Sequence, residues 1–265
     1  MDYPRITKKP AAELAVRPNL TDYEQARGDF DWDQLATELP WLAEDRINIG
    51  HVAVDAHLDR GLGDKEALVW ESKKGDTTLR YTFAELSRLS NRFANVLTGE
   101  LGVRPGDRVF FFLERVPELY VAILGTLKAG GVIGPLFSAF GPDAVKDRLE
   151  DSGARVLVTS PTLRRKVEGV LGELPALERL VLVDRSGGED GGDDLPYHAA
   201  MDAASESFDV VQTSREDRAI MHYTSGTTGK PKGAVHVHNA VIGHYATAKH
   251  VLDLHGDDIY WCTAD

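Results

Sequence analysis

The sequence predicts an α/β fold in which a mostly parallel sheet is flanked by helices. Three observations carry that expectation. Short apolar stretches alternate with helix-length segments from residue 67 onward. Those stretches are nearly continuous in apolar residues, as in Val109-Phe110-Phe111-Phe112-Leu113, which suits strands buried on both faces. Several helical segments also carry explicit start signals. At 265 residues and 42% hydrophobic content, the chain holds enough apolar material for a real core.

Residues 1–50 read as an arm of short helices, interrupted by Pro4, Pro10, Pro18 and Pro40 and pinned by Trp32 and Trp41. A domain over residues 51–265 follows. Residues 51–60 read as a helix stopped by Gly61-Leu62-Gly63, and residues 67–70 as a short strand. Thr82-Phe83-Ala84-Glu85 has the form of a capping box, so a helix runs from there to about Leu101, with Leu86, Leu89, Phe93, Val96 and Leu97 on one stripe. The alternation continues with a strand at 109–113, a helix at 117–129 with proline in its first turn, and a strand at 132–136. A helix at 142–151, a strand at 155–159, a helix at 163–171 and a strand at 180–184 follow. Residues 186–194, rich in Gly and Asp, read as a solvated loop with no chemical role. The last third predicts strands at 219–223 and 234–237, a helix at 239–254 and a strand at 258–262.

Asp and Glu outnumber Lys and Arg by 42 to 30, a net charge of −12. That balance argues against a nucleic-acid-binding face, which needs clustered positive charge, but leaves room for one local phosphate site. No apolar run approaches the roughly 20 residues that span a bilayer, and no basic-then-apolar leader opens the chain. The single cysteine, Cys262, excludes an internal disulfide and suits a reducing cytoplasm; it reads as a small core residue in an apolar strand. Five of the nine histidines lie between 236 and 255. His244, His250 and His255 do not share a helical face, and only His236 and His238 fall on one side of a strand. No metal site is expected from them.

The chemistry concentrates in Tyr223-Thr224-Ser225-Gly226-Thr227-Thr228-Gly229-Lys230-Pro231-Lys232-Gly233. Thr224, Ser225, Thr227 and Thr228 place four hydroxyls in five positions. Gly226 and Gly229 remove bulk, so backbone amides can turn toward an anion. Lys230 and Lys232 add positive charge, and Pro231 stiffens the exit. The combination suits the β- and γ-phosphates of ATP and stabilises charge on departing pyrophosphate. It is not a Walker loop, because two residues instead of four separate Gly226 from Gly229-Lys230, and proline follows the lysine.

This string closely resembles the signature of the adenylate-forming enzymes, which include acyl-CoA synthetases, non-ribosomal adenylation domains and luciferases. Residues 127–136 resemble the helix-to-strand turn those enzymes share. Residues 19–24, 28–32, 106–110, 117–120, 134–141, 145–149, 236–238 and 258–265 are similar to the acetate–CoA ligase branch. The resemblance implies the front part of the large N-terminal, AMP-binding domain of such an enzyme. It implies a carboxylate, acetate first, that attacks Mg2+-bound ATP to give an acyl-adenylate, from which the thiol of coenzyme A displaces AMP. By position, Thr224, Ser225, Gly226, Thr227, Thr228 and Gly229 would contact phosphate, with Lys230 and Lys232 supplying charge; the alternative for Lys232 is a residue that only orders the loop. Arg164 and Arg165 fall where that branch places basic residues for coenzyme A, and Phe137, Ser138 and Ala139 fall on a neighbouring turn; the plain alternative is an exposed basic helix start. Catalytic residues are expected beyond Asp265, so the segment alone is expected to be inactive. Propionate or another short acid stays open, as does a non-catalytic nucleotide-binding protein. An amino-acid-adenylating branch ranks low, since it would lack the arm and 258–265 strings.

The chain stops at Asp265, directly after a core-strand candidate, so the domain is expected to be incomplete. Reading the message downstream of the Asp265 codon and weighing the native protein is expected to find at least as much chain again. A natural stop at Asp265 would leave a nucleotide-binding remnant or one half of a split enzyme.

Overall fold

Asp22 and Asp31 each open a short helix by giving orphan amides an acceptor. The Asp22 carboxylate accepts from Gln25 N–H to start α1 (Tyr23–Asp29), and Asp31 accepts from Asp33 and Gln34 N–H to start α2 (Trp32–Ala36). The computed structural model describes residues 9–10, 13–39, 46–186, 192–224 and 229–261, in two compact units: Met1–Leu39 with Ala240–Asp265, and Pro40–Asn239. Of the two tryptophans expected to pin the arm, only Trp32 is among the described residues. Trp32 is 55% exposed and packs edge-on against Phe30, with centroids 4.7 Å apart, while Leu35 and Ala36 are the buried residues of α2. Trp41 lies outside the described residues.

In the larger unit, a π-helical turn (His51–Asp55) runs into α3 (Ala56–Asp59). β1 (Glu66–Glu71) contains the predicted strand, but it joins an antiparallel pair with β2 (Thr78–Thr82), separate from the main sheet. The capping box is formed in both directions. Glu85 N–H donates to Thr82 Oγ1 at 3.2 Å and Thr82 N–H donates to Glu85 Oε2 at 2.8 Å. It opens α4 (Phe83–Asn95), which widens to a π-helical turn over Val96–Glu100. Leu86, Phe93, Val96 and Leu97 of the predicted stripe are buried.

The main sheet comprises β3 (Arg108–Phe112), β4 (Val132–Leu136), β5 (Val156–Thr159), β6 (Arg179–Leu182), β7 (Leu195–Pro196), β8 (Arg218–Thr224) and β9 (Lys232–Val237), in the order β7-β6-β5-β3-β4-β8-β9. Every pairing is parallel except β8 with β9. Val109 and Phe111 of β3 enter one core cluster, with Phe93 and Val121; Phe110 and Phe112 enter another, with Val145, Leu149 and Val167. The helices that carry those partners, α5 (Pro117–Lys128), α6 (Pro142–Ser152) and α7 (Pro161–Leu171), therefore cover opposite faces. Each fully buried phenylalanine of β3 contributes roughly 1.5–3 kcal/mol. Among the described residues β9 is the sheet edge, exposed along nearly its whole length.

Residues 187–191 of the predicted loop lie outside the described residues, but Asp194 at its end is not solvated: it is 8% exposed and ion-paired with Arg164. A carboxylate with a guanidinium partner can leave water; an unpaired one cannot. β7 and α8 (Tyr197–Ala203) follow, where the sequence reading had no element. Tyr197, Ala200 and Met201 recur at helical spacing and are buried.

α9 (Ala240–His250) begins the chain's return to the smaller unit. There Tyr245 Oη donates to Glu38 at 2.6 Å, and Lys249 Nζ to both Glu38 oxygens at 2.9 and 2.7 Å. Asn19 N–H donates to Asp253 Oδ1 at 2.7 Å. The helix predicted to run to Leu254 stops at His250, and Asp253 takes a left-handed conformation at φ 55° that no α-helix accommodates. The strand predicted at 258–262 is absent over its described residues. No neighbour pairs with Asp258–Trp261, and Ile259 and Trp261 are 83% and 84% exposed. A strand needs a ladder partner, and an apolar pattern alone does not make one.

Lys128, at the end of α5, is fully buried, and its Nζ donates to Asp55 Oδ1 at 2.7 Å and Asn91 Oδ1 at 2.9 Å. Ser87 Oγ donates to the same Asp55 oxygen at 2.6 Å. Burial pushes the Asp55 carboxyl up, but hydrogen bonds from His51, Lys128 and Ser87 with the Lys128 charge outweigh it and hold the group below its ordinary range. Burial pulls the Lys128 ammonium down, against the pull of Asp55. Replacing one partner strands the other in the interior. Lys128→Met is expected to lower stability by about 3–5 kcal/mol in urea titrations, and Lys128→Met with Asp55→Leu by clearly less. Equal losses in the two variants would show that packing, not charge, dominates there.

Candidate phosphate-binding site

Thr224 and Lys232 are the last pair of the β8–β9 ladder, so they stand opposite each other at the two ends of the loop. Both are exposed, as is Lys230. Gly229 has φ +97°, a backbone conformation that side chains resist. Ser225, Gly226, Thr227 and Thr228 lie outside the described residues.

β8 is parallel to β4 through Ile133 and Ile220, so the loop leaves the carboxyl edge of the sheet beside the turn that leaves β4. In such sheets ligands bind in the crevice outside the carboxyl ends of the strands. That neighbouring turn carries Phe137, Ser138 and Ala139. Phe137 is 44% exposed and meets Phe140 edge-on at 5.7 Å. α7 starts at the same edge, after β5, with Ser160 as its cap.

The two predicted arginines on α7 differ. Arg164 is held by Asp194 and by Glu168 at 3.1 Å, and the Asp194 hydrogen bond, then that of Glu168, pushes its pKa up. Arg165 is exposed. The cation that reaches the β4 turn is Lys166, whose Nζ donates to Ser138 O at 3.3 Å. Sequence reasoning passed over it as the tail of an Arg-Arg-Lys run; helical spacing from Leu163, the buried residue beside it, would have marked the face it shares.

The pair His236 and His238 separates, since β9 ends at Val237. His236 is exposed and meets His222 across the hairpin at 6.0 Å, and burial followed by His236 lowers the His222 pKa. His238 is fully buried, and its Nδ1 accepts from Ile49 N–H at 3.1 Å. Burial pulls its pKa down to about 4. Among the described residues no group of three side chains is placed to hold a metal ion, and no helix is long and apolar enough to cross a membrane.

A family profile described as AMP-binding enzyme matches residues 55–265. The chain is 43% identical over 247 residues to an acetyl-coenzyme A synthetase of Bacillus subtilis, covering 93% of this chain and 42% of that one. It is 34% identical to the Rubrobacter xylanophilus acetyl-coenzyme A synthetase, covering 98% and 46%. Among solved structures, a Brucella canis acyl-CoA synthetase superposes with a TM-score of 0.83 at 32% identity, over 92% of this chain and 43% of that one. An anthranilate CoA ligase bound to anthranoyl-AMP superposes at 0.64 and 29%, over 80% and 36%. The chain thus spans less than half the length of the relatives it matches.

The His238 imidazole titrates at 6.5 when unfolded and about 4 when folded. Between those values the unfolded chain takes up a proton that the folded chain refuses, so stability falls as pH falls through that window, by at most about 3 kcal/mol. His238→Asn keeps an acceptor for Ile49 N–H and cannot titrate. Urea unfolding at pH 7, 6, 5 and 4 is expected to show a shallower decline for the variant than for the parent; parallel declines would contradict the assignment.

Proposed function

Because the chain belongs to the AMP-binding enzyme family, we propose that the whole protein is an acetate–CoA ligase acting in the cytoplasm, with acetate, ATP and coenzyme A as substrates. An acetate oxygen attacks the α-phosphorus of ATP, the bond to the β-phosphate oxygen breaks, and pyrophosphate leaves. The coenzyme A sulfur then attacks the acetyl carbonyl, AMP departs and the thiol proton passes to water. The observation that carries this reading is the loop between Thr224 and Lys232, opening at the carboxyl edge of a parallel sheet beside the β4 turn.

In this reading residues 1–50 form an arm and residues 51–265 part of the AMP-binding domain. The chain holds the phosphate end of ATP: hydroxyls and amides of residues 224–229 receive the phosphate oxygens, and Lys230 and Lys232 neutralise charge as pyrophosphate forms. Little covalent work falls to the protein, since the reaction needs an in-line geometry and compensated charge. Mg2+ enters with ATP as part of the substrate, held mainly by phosphate and water oxygens with few protein ligands. Phe137, Ser138 and Ala139 with Arg165 and Lys166 form the surface that approaches coenzyme A. Arg164 contributes there through its hold on Asp194.

Acetate- and coenzyme A-dependent release of AMP and pyrophosphate by the full-length natural protein tests the proposal. Lys232→Met is expected to lower kcat/KM for ATP by about a hundredfold, as loss of one transition-state charge contact does. The isolated 265-residue chain is expected to release no AMP. Faster turnover of propionate would change the acid, and absence of any carboxylate-dependent AMP would remove the reading.

A further inference from the structure

Tyr223, one residue before the loop, is held on several sides. Its Oη donates to Asp151 Oδ2 in the last turn of α6 at 2.6 Å. Arg148 of the same helix sets its guanidinium 4.3 Å from the Phe140 ring centre and 5.8 Å from that of Tyr223. Phe110, in the middle of β3, lies 6.4 Å from the Tyr223 ring. Directly across the hairpin stands Gly233, one residue after the loop. A Cβ at Gly233 would come within 3.2 Å of the Tyr223 ring, tighter than ordinary contact, so the ring takes the space a side chain at Gly233 would need.

The consequence is geometric. Tyr223 and Gly233 are the ladder pair next to Thr224 and Lys232, at the base of the loop. Fixing the ring fixes both strands at that base, and through them the spacing of the two residues that open and close the loop. The anchor is α6, which begins immediately after the β4 turn. A hydroxyl donating to an ionised carboxylate is a strong, directional bond, and a loop set before its ligand arrives loses less conformational freedom on binding.

We propose that Asp151 and Tyr223 are positioning residues for the phosphate loop: their hydrogen bond, with the Tyr223 ring seated on Gly233, sets the base of the loop in its ATP-binding arrangement. This rests on the reading of the loop as the ATP-phosphate site. Neither residue touches substrate. The interaction is expected to stabilise nucleotide binding equally in the ground and transition states, and so to appear in KM and not in kcat.

The test is steady-state kinetics of the full-length natural protein with Tyr223→Phe, Asp151→Ala, their combination, and Asp151→Asn. Tyr223→Phe and Asp151→Ala are each expected to raise KM for ATP about three- to tenfold, with kcat and KM for acetate changed less than about twofold. The double variant is expected to match the singles, because all three lose the same bond. Asp151→Asn retains an acceptor and is expected to stay near the parent. Tyr223→Phe and Asp151→Asn preserve shape, so they carry the test if Asp151→Ala does not fold. Unchanged KM for ATP in an active protein, or effects that multiply in the double variant, would overturn the positioning role alone. A parent protein with no ATP-dependent activity would remove the phosphate-loop reading and this inference together.

Discussion

β3 has no side that faces water, because Val109 and Phe111 point into one cluster and Phe110 and Phe112 into the other. A strand buried on both faces must be covered from both sides, and parallel neighbours must be joined by crossovers that carry the covering helices. The chain meets this by running from β3 to β4 through α5, then back across to β5 through α6. Connections that depart in opposite directions leave a crevice at the carboxyl edge. The β4 turn, the start of α7 and the phosphate loop all lie along that edge. The position of the candidate site thus follows from a packing requirement of core residues.

Polar groups inside the larger unit follow the same economy of partners. Lys128 is tolerated without solvent because Asp55 and Asn91 accept its hydrogen bonds, and Asp194 because Arg164 faces it. His238 takes the opposite course, remaining neutral where burial makes charge costly. In each case the cost of desolvation is met locally, and the side chain joins segments distant in sequence: the turn at residue 55 to α5, α7 to β7, the end of β9 to residue 49.

Much of this was legible in the sequence because the signals were local. The capping box at Thr82 and Glu85, the prolines opening α5 and α6, and the apolar runs of β3, β4 and β5 each specify an element without distant information. The failures share the opposite character. Residues 258–261 have a strand's composition, but whether a strand forms depends on a neighbour. Trp32 is exposed, whereas Glu38 and Asn19 hydrogen-bond to residues more than 200 positions away. The candidate phosphate loop stands out by its Thr, Gly and Lys content, although residues 225–228 lie outside the described residues. That Arg164 is engaged by Asp194, and that Lys166 reaches Ser138, depends on which side chains the fold brings together.

The open edge of β9 has a consequence for handling the molecule. An exposed strand presents unpaired amide and carbonyl groups to any other strand it meets, including the same strand on a second molecule. The smaller unit separately exposes Ile259, Tyr260 and Trp261. The opposing influences are Lys232 on the edge itself and a net charge of −12, whose mutual repulsion weakens as salt is raised. Low ionic strength and dilution therefore oppose strand-to-strand association at this edge, and salt and concentration favour it.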